Sequence, residues 1–388
     1  MRKPAVLFVD DEASILDGIR RSLRGRRHDW DMEFLTSGAA ALEHLSHTPC
    51  DVVVSDMRMP GMDGAELLAH ICRRHPGVAR VVLSGHTERE AAVRASVVGH
   101  RFLNKPCEGD ALSELVEQLT SGMDDPCGAE LRRNAGSVRC LPVLPEQMQR
   151  VAASLAAPDI ELGAVIEAVV NSIGLAAKLL QLANSSFFGS SQRVTSVTHA
   201  VTSLGLPTLQ ALIATDPGLW AADITDPAEL TQLTAVWRHS IASARLVREL
   251  ASPGNAPYSE VAALLQDVGR LAPLSASWRE EDAGRPAAVH SDQVGADLLH
   301  LWGLPRPIVV AVAERYLPKD DYPYGLGVSG ALRAANLLLQ GTECADPYDT
   351  THESELGRLL AHPQLVAADC DWRLRAQRVA AEAAEALA

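Results

Sequence analysis

The first 121 residues alternate between two periods, and that alternation limits the fold more than any other feature of the chain. Five short apolar runs, "AVLFV" (5–9), "MEFL" (32–35), "DVVVS" (51–55), "RVVLS" (80–84) and "RFLN" (101–104), have strand length. Between the first two, Ile15, Ile19 and Leu23 recur every fourth residue, as one face of a helix does. "GAAALEHL", "AELLAHICRR", "EREAAVRASVV" and "GDALSELVEQL" supply four more helical stretches. Strands joined by helical crossovers run parallel, with helices on both faces. The expectation is a doubly wound, five-stranded parallel sheet. Ligands of such sheets gather outside the C-terminal strand ends.

The polar residues at those ends form a set. Asp10 and Asp11 close the first strand, Asp56 the third, Ser84 the fourth and Lys105 the fifth. Three carboxylates at one edge repel one another unless a hard cation lies between them, and Mg²⁺ with oxygen ligands suits such a place. A carboxylate beside Mg²⁺ can attack a phosphoryl group and form an acyl phosphate. Lys105, one of only four lysines in the chain, and the Ser84 hydroxyl are candidates to bind the new phosphoryl oxygens.

"VLFVDDE", "VVVSDMRMPGMDG", "VVLSG" and "FLNKP", in this order and spacing, resemble the receiver domain of bacterial response regulators, a flavodoxin-like fold, over about residues 4–121. The resemblance implies that Asp56 is the phosphoacceptor. It implies that Asp10, Asp11 and Asp56 hold Mg²⁺ with the backbone carbonyl of Arg58. Ser84 and Phe102 become the switch hydroxyl and switch aromatic, although a single aromatic on a strand can also be plain core.

Residues 122–137, rich in Gly, Asp and Pro, read as a loosely ordered linker with some helix in "AELRRN". From residue 138 strand patterns vanish, and an all-α domain is expected over 138–335. Residues 336–388 are expected to be a helical extension packed on it or continuing it. "LGAVIEAVVNSIGLAAKLLQLANSSFFG" (162–189) reads as helices broken near Gly174, and "SVTHAVTSLGLPTLQALIA" (196–214) as two more broken at Gly205 and Pro207. "LPVLPEQ", "LLQLANSSFFG", "AVTSLGLPTLQALI", "VWRHSIASA", "ALLQDVGRL" and "VGADLLHLWGLP" together resemble the HDOD family, an all-helical relative of the HD metal-dependent phosphohydrolases.

A working HD site converges several His and Asp ligands on metal ions that activate water. Against the pattern that the resemblance implies, His239 and Asp267 remain, while Gln266 replaces the His of the His-Asp doublet. Ser291 stands where a His often precedes "VGADLL", with His290 about 100° away around a helix. Arg315 and Tyr316 stand where paired His are common. Gln266 is a weak ligand and Arg315 repels a cation, so no transition metal and no catalytic residue is expected in this domain. Asp267 is instead expected as a capping or core hydrogen-bond partner, with His239 a candidate to pair with it. His300 and His362 stand isolated.

Net charge separates the halves: of −14 overall, residues 1–121 carry −3 and the remainder −11. An acidic C-terminal region matches nucleic acid poorly. The small basic cluster Arg373, Arg375 and Arg378 reads as a solvated helix face. No apolar run reaches the length of a membrane span, and no signal-peptide core opens the chain, so a cytoplasmic protein is expected. Seven Cys, none in a CxxC pair, suit reduced thiols. The reading is a two-component response regulator with a non-catalytic HDOD output. Its expected partners are a cognate sensor histidine kinase and downstream signalling proteins. Phosphorylation is expected to release a docked helical domain or favour a homodimer through residues 87–121, with the dimer preferred. The alternatives are a receiver-controlled phosphodiesterase or phosphohydrolase with a rescued metal site, and a DNA-binding regulator.

Overall fold

The computed structural model describes residues 2–388 apart from 86–92, 94, 108, 122–125, 189–192, 215–219, 221–226, 275–290, 318–324, 347–348, 350–352, 369 and 387–388. The expected fourth receiver helix and His290 lie largely or wholly outside the described residues. Five strands, β1 (Ala5–Val9), β2 (Asp31–Leu35), β3 (Val52–Asp56), β4 (Ala79–Ser84) and β5 (Arg101–Asn104), form one parallel sheet in the order β2-β1-β3-β4-β5. Every residue of β3 and β4 is buried, as strands covered on both faces require, and this explains their near-continuous Val runs. The register pairs Val9 with Ser55, Asp56 with Leu83, and Ser84 with Asn104. It thereby aligns the polar strand ends.

The rest of the described chain is helical. The long helix Pro227–Leu250 packs against Ala256–Leu265, Gly327–Leu339 and the last helix, Trp372–Ala386, which also meets Gly327–Leu339. The expected break near Gly174 falls earlier, at Asn171 and Ser172 between Leu162–Val170 and Ile173–Ala183. Gly174 serves a different need. A Cβ there would lie 2.7 Å from the Leu141 carbonyl oxygen, so glycine lets that chain segment pack against the helix. The break at Gly205 is as expected, with φ +78° ending the helix Val197–Leu204. Among the described residues no single helix is long and apolar enough to cross a membrane.

Loose ordering of the linker is not what the structure shows. Residues Pro126–Ser137 form a helix that packs against the receiver helix Gly64–Arg74 and against Ser291–Leu301 of the helical domain. A Cβ on Gly136 would stand 2.0 Å from the Pro76 carbonyl oxygen, so the helix touches the receiver backbone directly. The Gly136 carbonyl accepts from Arg80 Nη2 at 2.7 Å, and Arg132 donates to the Leu119 carbonyl. Gly and Asp signal a loop locally, but packing on both sides overrides that propensity.

The domains therefore touch along a built interface. The outer edge of β5 is covered by the helical domain, where Gln181 Nε2 donates to the carbonyls of Gly99 (2.9 Å) and His100 (3.1 Å). Arg101 Nη2 donates to the His300 carbonyl at 2.7 Å, and His300 Nε2 lies 2.8 Å from the Gln118 carbonyl. His300, isolated in the sequence, thus bridges the domains. Burial, aided by Arg101, holds His300 below the usual histidine range, and burial with Arg80 holds His100 well below it. A depressed histidine pKa leaves the native state short of protons relative to the unfolded chain. Stability should therefore be unaffected above pH 6.5 and should fall as pH drops below it. Thermal melts between pH 7.5 and 5.5 check this, and His300→Gln should flatten part of the slope.

Candidate functional site

The aligned strand ends build the first site. Asp10 and Asp56 are buried while Asp11 is exposed, and ligand oxygens of the three lie within 4.8 Å of one another. Among the described residues no other such group of potential ligands occurs. Lys105 Nζ donates to Asp10 at 2.7 Å and also contacts Asp56. The Arg58 N–H donates to Asp56 Oδ2 at 2.8 Å, which holds the residue expected to offer its carbonyl beside this carboxylate. Asp10 Oδ1 accepts from the Glu12 N–H at 3.0 Å. The helix Gly64–Arg74 begins directly beside the site behind an Asp63–Glu66 capping box. Only glycine fits at 64, because a Cβ there would fall 2.1 Å from the Asp56 carbonyl oxygen.

Burial raises the Asp56 pKa, opposed by Lys105 and reinforced by Asp10. Burial works against the Lys105 charge too, but its hydrogen bonds to Asp10 and Asp56 hold its pKa above the ordinary lysine value. One ammonium against three carboxylates leaves a charge deficit that a divalent, oxygen-liking cation fits. Ser84 is fully buried at the end of β4, and the Lys105 N–H donates to its carbonyl at 3.0 Å. Phe102 is also buried, midway along β5. The structure thus gathers Asp10, Asp11, Asp56, Arg58, Ser84 and Lys105 at one edge, with Phe102 on the adjoining strand.

The second cluster sits where an HD metal centre would be. His239, Gln266, Asp267 and Arg315 are fully buried, and Tyr316 is half-buried beside them. The expected pairing of Asp267 with His239 is not found. His239 Nδ1 faces the Cys344 carbonyl at 2.8 Å, and its Nε2 has no hydrogen-bond partner. Nor does the Asp267 side chain cap the short helix Val268–Leu271 that it precedes. Its carboxylate instead accepts from Arg315 Nη1 (2.7 Å), Arg270 Nη1 (2.9 Å) and Ser240 Oγ (3.0 Å). Burial alone would raise the Asp267 pKa, but the two guanidiniums prevail and hold it at about 2. Tyr316 donates to Asp346 Oδ2 at 2.5 Å, and Arg270 reaches the same Asp346 at 2.9 Å. Gln266 Oε1 accepts from Asn336 Nδ2 at 2.7 Å. Ser291 opens the helix Ser291–Leu301, whose backbone packs on Gly269, where a Cβ would lie 1.7 Å from the Ser291 carbonyl oxygen.

These residues do not fit an HD metal. Two arginines already pair with Asp267 and Asp346, and a further cation beside them would meet their positive charge. Sequence reasoning missed Arg270, Asp346, Asn336 and Ser240. Arg270 stands three residues after Asp267, a helical spacing that is legible. Nothing local marks Asp346, which joins from a distant loop. His362 caps the short helix Pro363–Val366 through Nδ1.

Comparison with known families matches the response regulator receiver domain to residues 6–117 and the HDOD domain to residues 141–318. The chain is similar to the DNA-binding transcriptional regulator NtrC of Escherichia coli K12, 38% identical over 122 residues, covering 31% of this chain and 26% of that one. It thus spans about a quarter of the length of that relative. Among solved structures it is similar to an uncharacterized protein from Neptuniibacter caesariensis, with 34% identity, 34% of this chain and 96% of the other covered, and TM-score 0.31. It is also similar to the signal receiver domain of an HD domain-containing protein from Pseudomonas fluorescens Pf-5, with 29% identity, 31% and 99% covered, and TM-score 0.29.

The Asp267–Arg315 pair gives a test of the second cluster. Removing one partner of a fully buried ion pair costs about 3–5 kcal/mol where the remaining charge is left alone. Arg270 still faces Asp267 once Arg315 is gone, so Arg315→Met should lower stability by less than that range in urea unfolding, with the m-value unchanged. It should also make the remaining stability less sensitive to acid below pH 4, because without the guanidinium that depresses it the Asp267 carboxyl titrates closer to its unfolded value and the native state is less short of protons.

Proposed function

We propose that this chain, which carries a response regulator receiver domain at residues 6–117 and an HDOD domain at residues 141–318, is a two-component response regulator phosphorylated on Asp56. The observation that carries the proposal is the convergence of Asp10, Asp11 and Asp56 within 4.8 Å beside Lys105. A carboxylate oxygen of Asp56 attacks the phosphorus of a phosphoryl donor. The new P–O bond forms as the bond to the leaving group breaks, and the leaving group departs with the electron pair. Asp10, Asp11, Asp56 and the Arg58 carbonyl are the residues that would hold Mg²⁺, which when bound offsets the charge building on the phosphoryl oxygens. Lys105 is placed to contact one of those oxygens and Ser84 another. Receiver domains interact with sensor histidine kinases, and such a kinase is the proposed phosphodonor.

The HDOD domain is proposed to act by protein contact. Support comes from the guanidinium pairing of Asp267 and from Gln266 in place of a ligand. Receiver-controlled phosphohydrolysis is disfavoured by the same pairing, and DNA binding by the −11 charge outside the receiver. Part of the face considered for a receiver dimer, around β5 and Gln118, is covered by the chain's own helical domain. That contact favours release of a docked domain over direct dimerisation.

Incubation with acetyl phosphate should add one phosphoryl group, read by intact mass. The adduct should vanish in Asp56→Ala and in excess EDTA. An adduct that persists in Asp56→Ala would overturn the assignment. Metal analysis and assays with nucleotides and cyclic dinucleotides test the second half. Stoichiometric transition metal with turnover lost in Asp267→Ala would restore the enzyme reading.

A further inference from the structure

Phe102 is not simply buried within its own domain. Its ring meets the ring of Phe188, in the helical domain, edge to face at 6.1 Å between centroids. Phe188 is held in turn by Phe187 at 4.8 Å. On the receiver side a Cβ on Gly99 would lie 2.9 Å from Phe102 Cζ, so the ring fills the space between Gly99 and Phe188. The backbone around Phe102 is gripped by the same helical segment. Ser186 Oγ donates to the Phe102 carbonyl at 3.2 Å, and Asn104 Nδ2 donates to the Ser186 carbonyl at 2.8 Å. Lys178 Nζ reaches the Ser96 carbonyl at 3.0 Å. The residue after Asn104 is Lys105, whose ammonium sits on Asp10 and Asp56. Residues 102–105 therefore have the helical domain at one end and the phosphoacceptor at the other.

We propose that Phe188 is a positioning residue for the chemistry at Asp56: segment 178–188 of the HDOD domain holds β5 in its unphosphorylated arrangement, and Phe188 acts on Asp56 through Phe102. The inference rests on the reading of Asp56 as the phosphoacceptor. It adds that the output domain sets how readily Asp56 takes a phosphoryl group. Coupling between two sites is reciprocal, so whatever displaces segment 178–188 must also favour the phosphorylated receiver.

The grip is suited to release because it is electrostatically incomplete. Lys178 is wholly buried, yet its hydrogen bonds go to neutral oxygens, of Ser96, Arg139 and Gln181, and its ammonium lies 4.6 Å from the centre of the Trp302 ring. Burial lowers its pKa. Arg101 donates to one carbonyl from Nη2, while its Nε has no partner, and burial with Arg193 nearby pushes its pKa down to about 10. Burying a charge without an opposite charge beside it carries a desolvation cost, so these two contacts favour separation more than a neutral pair would.

The test titrates the full-length chain with beryllofluoride and Mg²⁺ by calorimetry and times its phosphorylation by acetyl phosphate. Phe188→Ala should lower the beryllofluoride midpoint and speed phosphorylation by several-fold, within the roughly 5–150-fold range of couplings between linked sites. Phe188→Leu, which keeps an apolar side chain, should move partway and covers the case in which the alanine variant folds poorly. Val379→Ala, a buried position in the last helix, should lower the melting temperature without moving the midpoint. In a Phe102→Ala background, Phe188→Ala should add nothing further, because the route between the sites is already cut. A wild-type midpoint in both Phe188 variants overturns the inference, and so does a full-sized Phe188→Ala effect without Phe102. If the wild type takes up neither phosphoryl nor beryllofluoride, the assignment of Asp56 itself falls, a distinguishable result.

Discussion

A parallel sheet that ends at β5 leaves a row of backbone carbonyls with no neighbouring strand, and buried carbonyls require donors. The chain supplies them from its other domain. Ser186 donates to the Phe102 carbonyl within β5, while Gln181 and Lys178 donate to the carbonyls of Gly99, His100 and Ser96 in the segment that leads into it. That single constraint ties much of the molecule together. It places Phe188 on Phe102 and sets Asn104 against Ser186, one residue from the lysine that touches the phosphoacceptor. The helix Pro126–Ser137 closes the arrangement by packing on both domains. The receiver and the helical domain are therefore not beads on a string.

The receiver was legible because its information is local. Each strand end carries its own polar residue within a few positions of an apolar run, and a parallel sheet must bring those ends together. Most helices of the second domain were legible for the same reason, from apolar spacing and from breakers such as Gly205. The interface was not, because it depends on residues far apart in sequence. One signal was available: every residue of Ile173–Ala183 is buried, and its sequence includes Lys178 and Gln181. A lysine in an otherwise apolar helix is seldom fully buried without a partner, and here the partners come from the receiver and from Arg139. The linker misled for the opposite reason. Its Gly136 marks close packing against Pro76, not freedom.

In the proposed reading, the HD-like cluster keeps its polar residues but pairs them with arginine in place of a metal. A divalent ion between carboxylates satisfies their charge and orients them. Arg270 and Arg315 meet the first need for Asp267 and Asp346, and their planar donors meet the second. A guanidinium differs from a metal in one decisive respect: it cannot lower the pKa of a bound water to make a nucleophile. The proposed silence of this domain follows from that substitution more than from the loss of any single ligand. The network also anchors the loop carrying Asp346 to the core, a structural role independent of catalysis.

Phosphorylation at Asp56, as proposed, would add about −1.5 to −2 charges at the edge where Lys105 now pairs with Asp10 and Asp56. A lysine drawn toward new phosphoryl oxygens must loosen its hold on those carboxylates, and the strand that carries it must follow. β5 cannot shift without stretching the bonds from Asn104 to Ser186 and from Gln181 to the carbonyls before it. The donors that satisfy the edge strand at rest are therefore the contacts that resist the active state. An edge left to solvent would have offered no such resistance, because water re-forms its bonds wherever the strand moves. In the proposed reading, covering β5 with a folded domain turns a requirement of sheet chemistry into a coupling between phosphoacceptor and output.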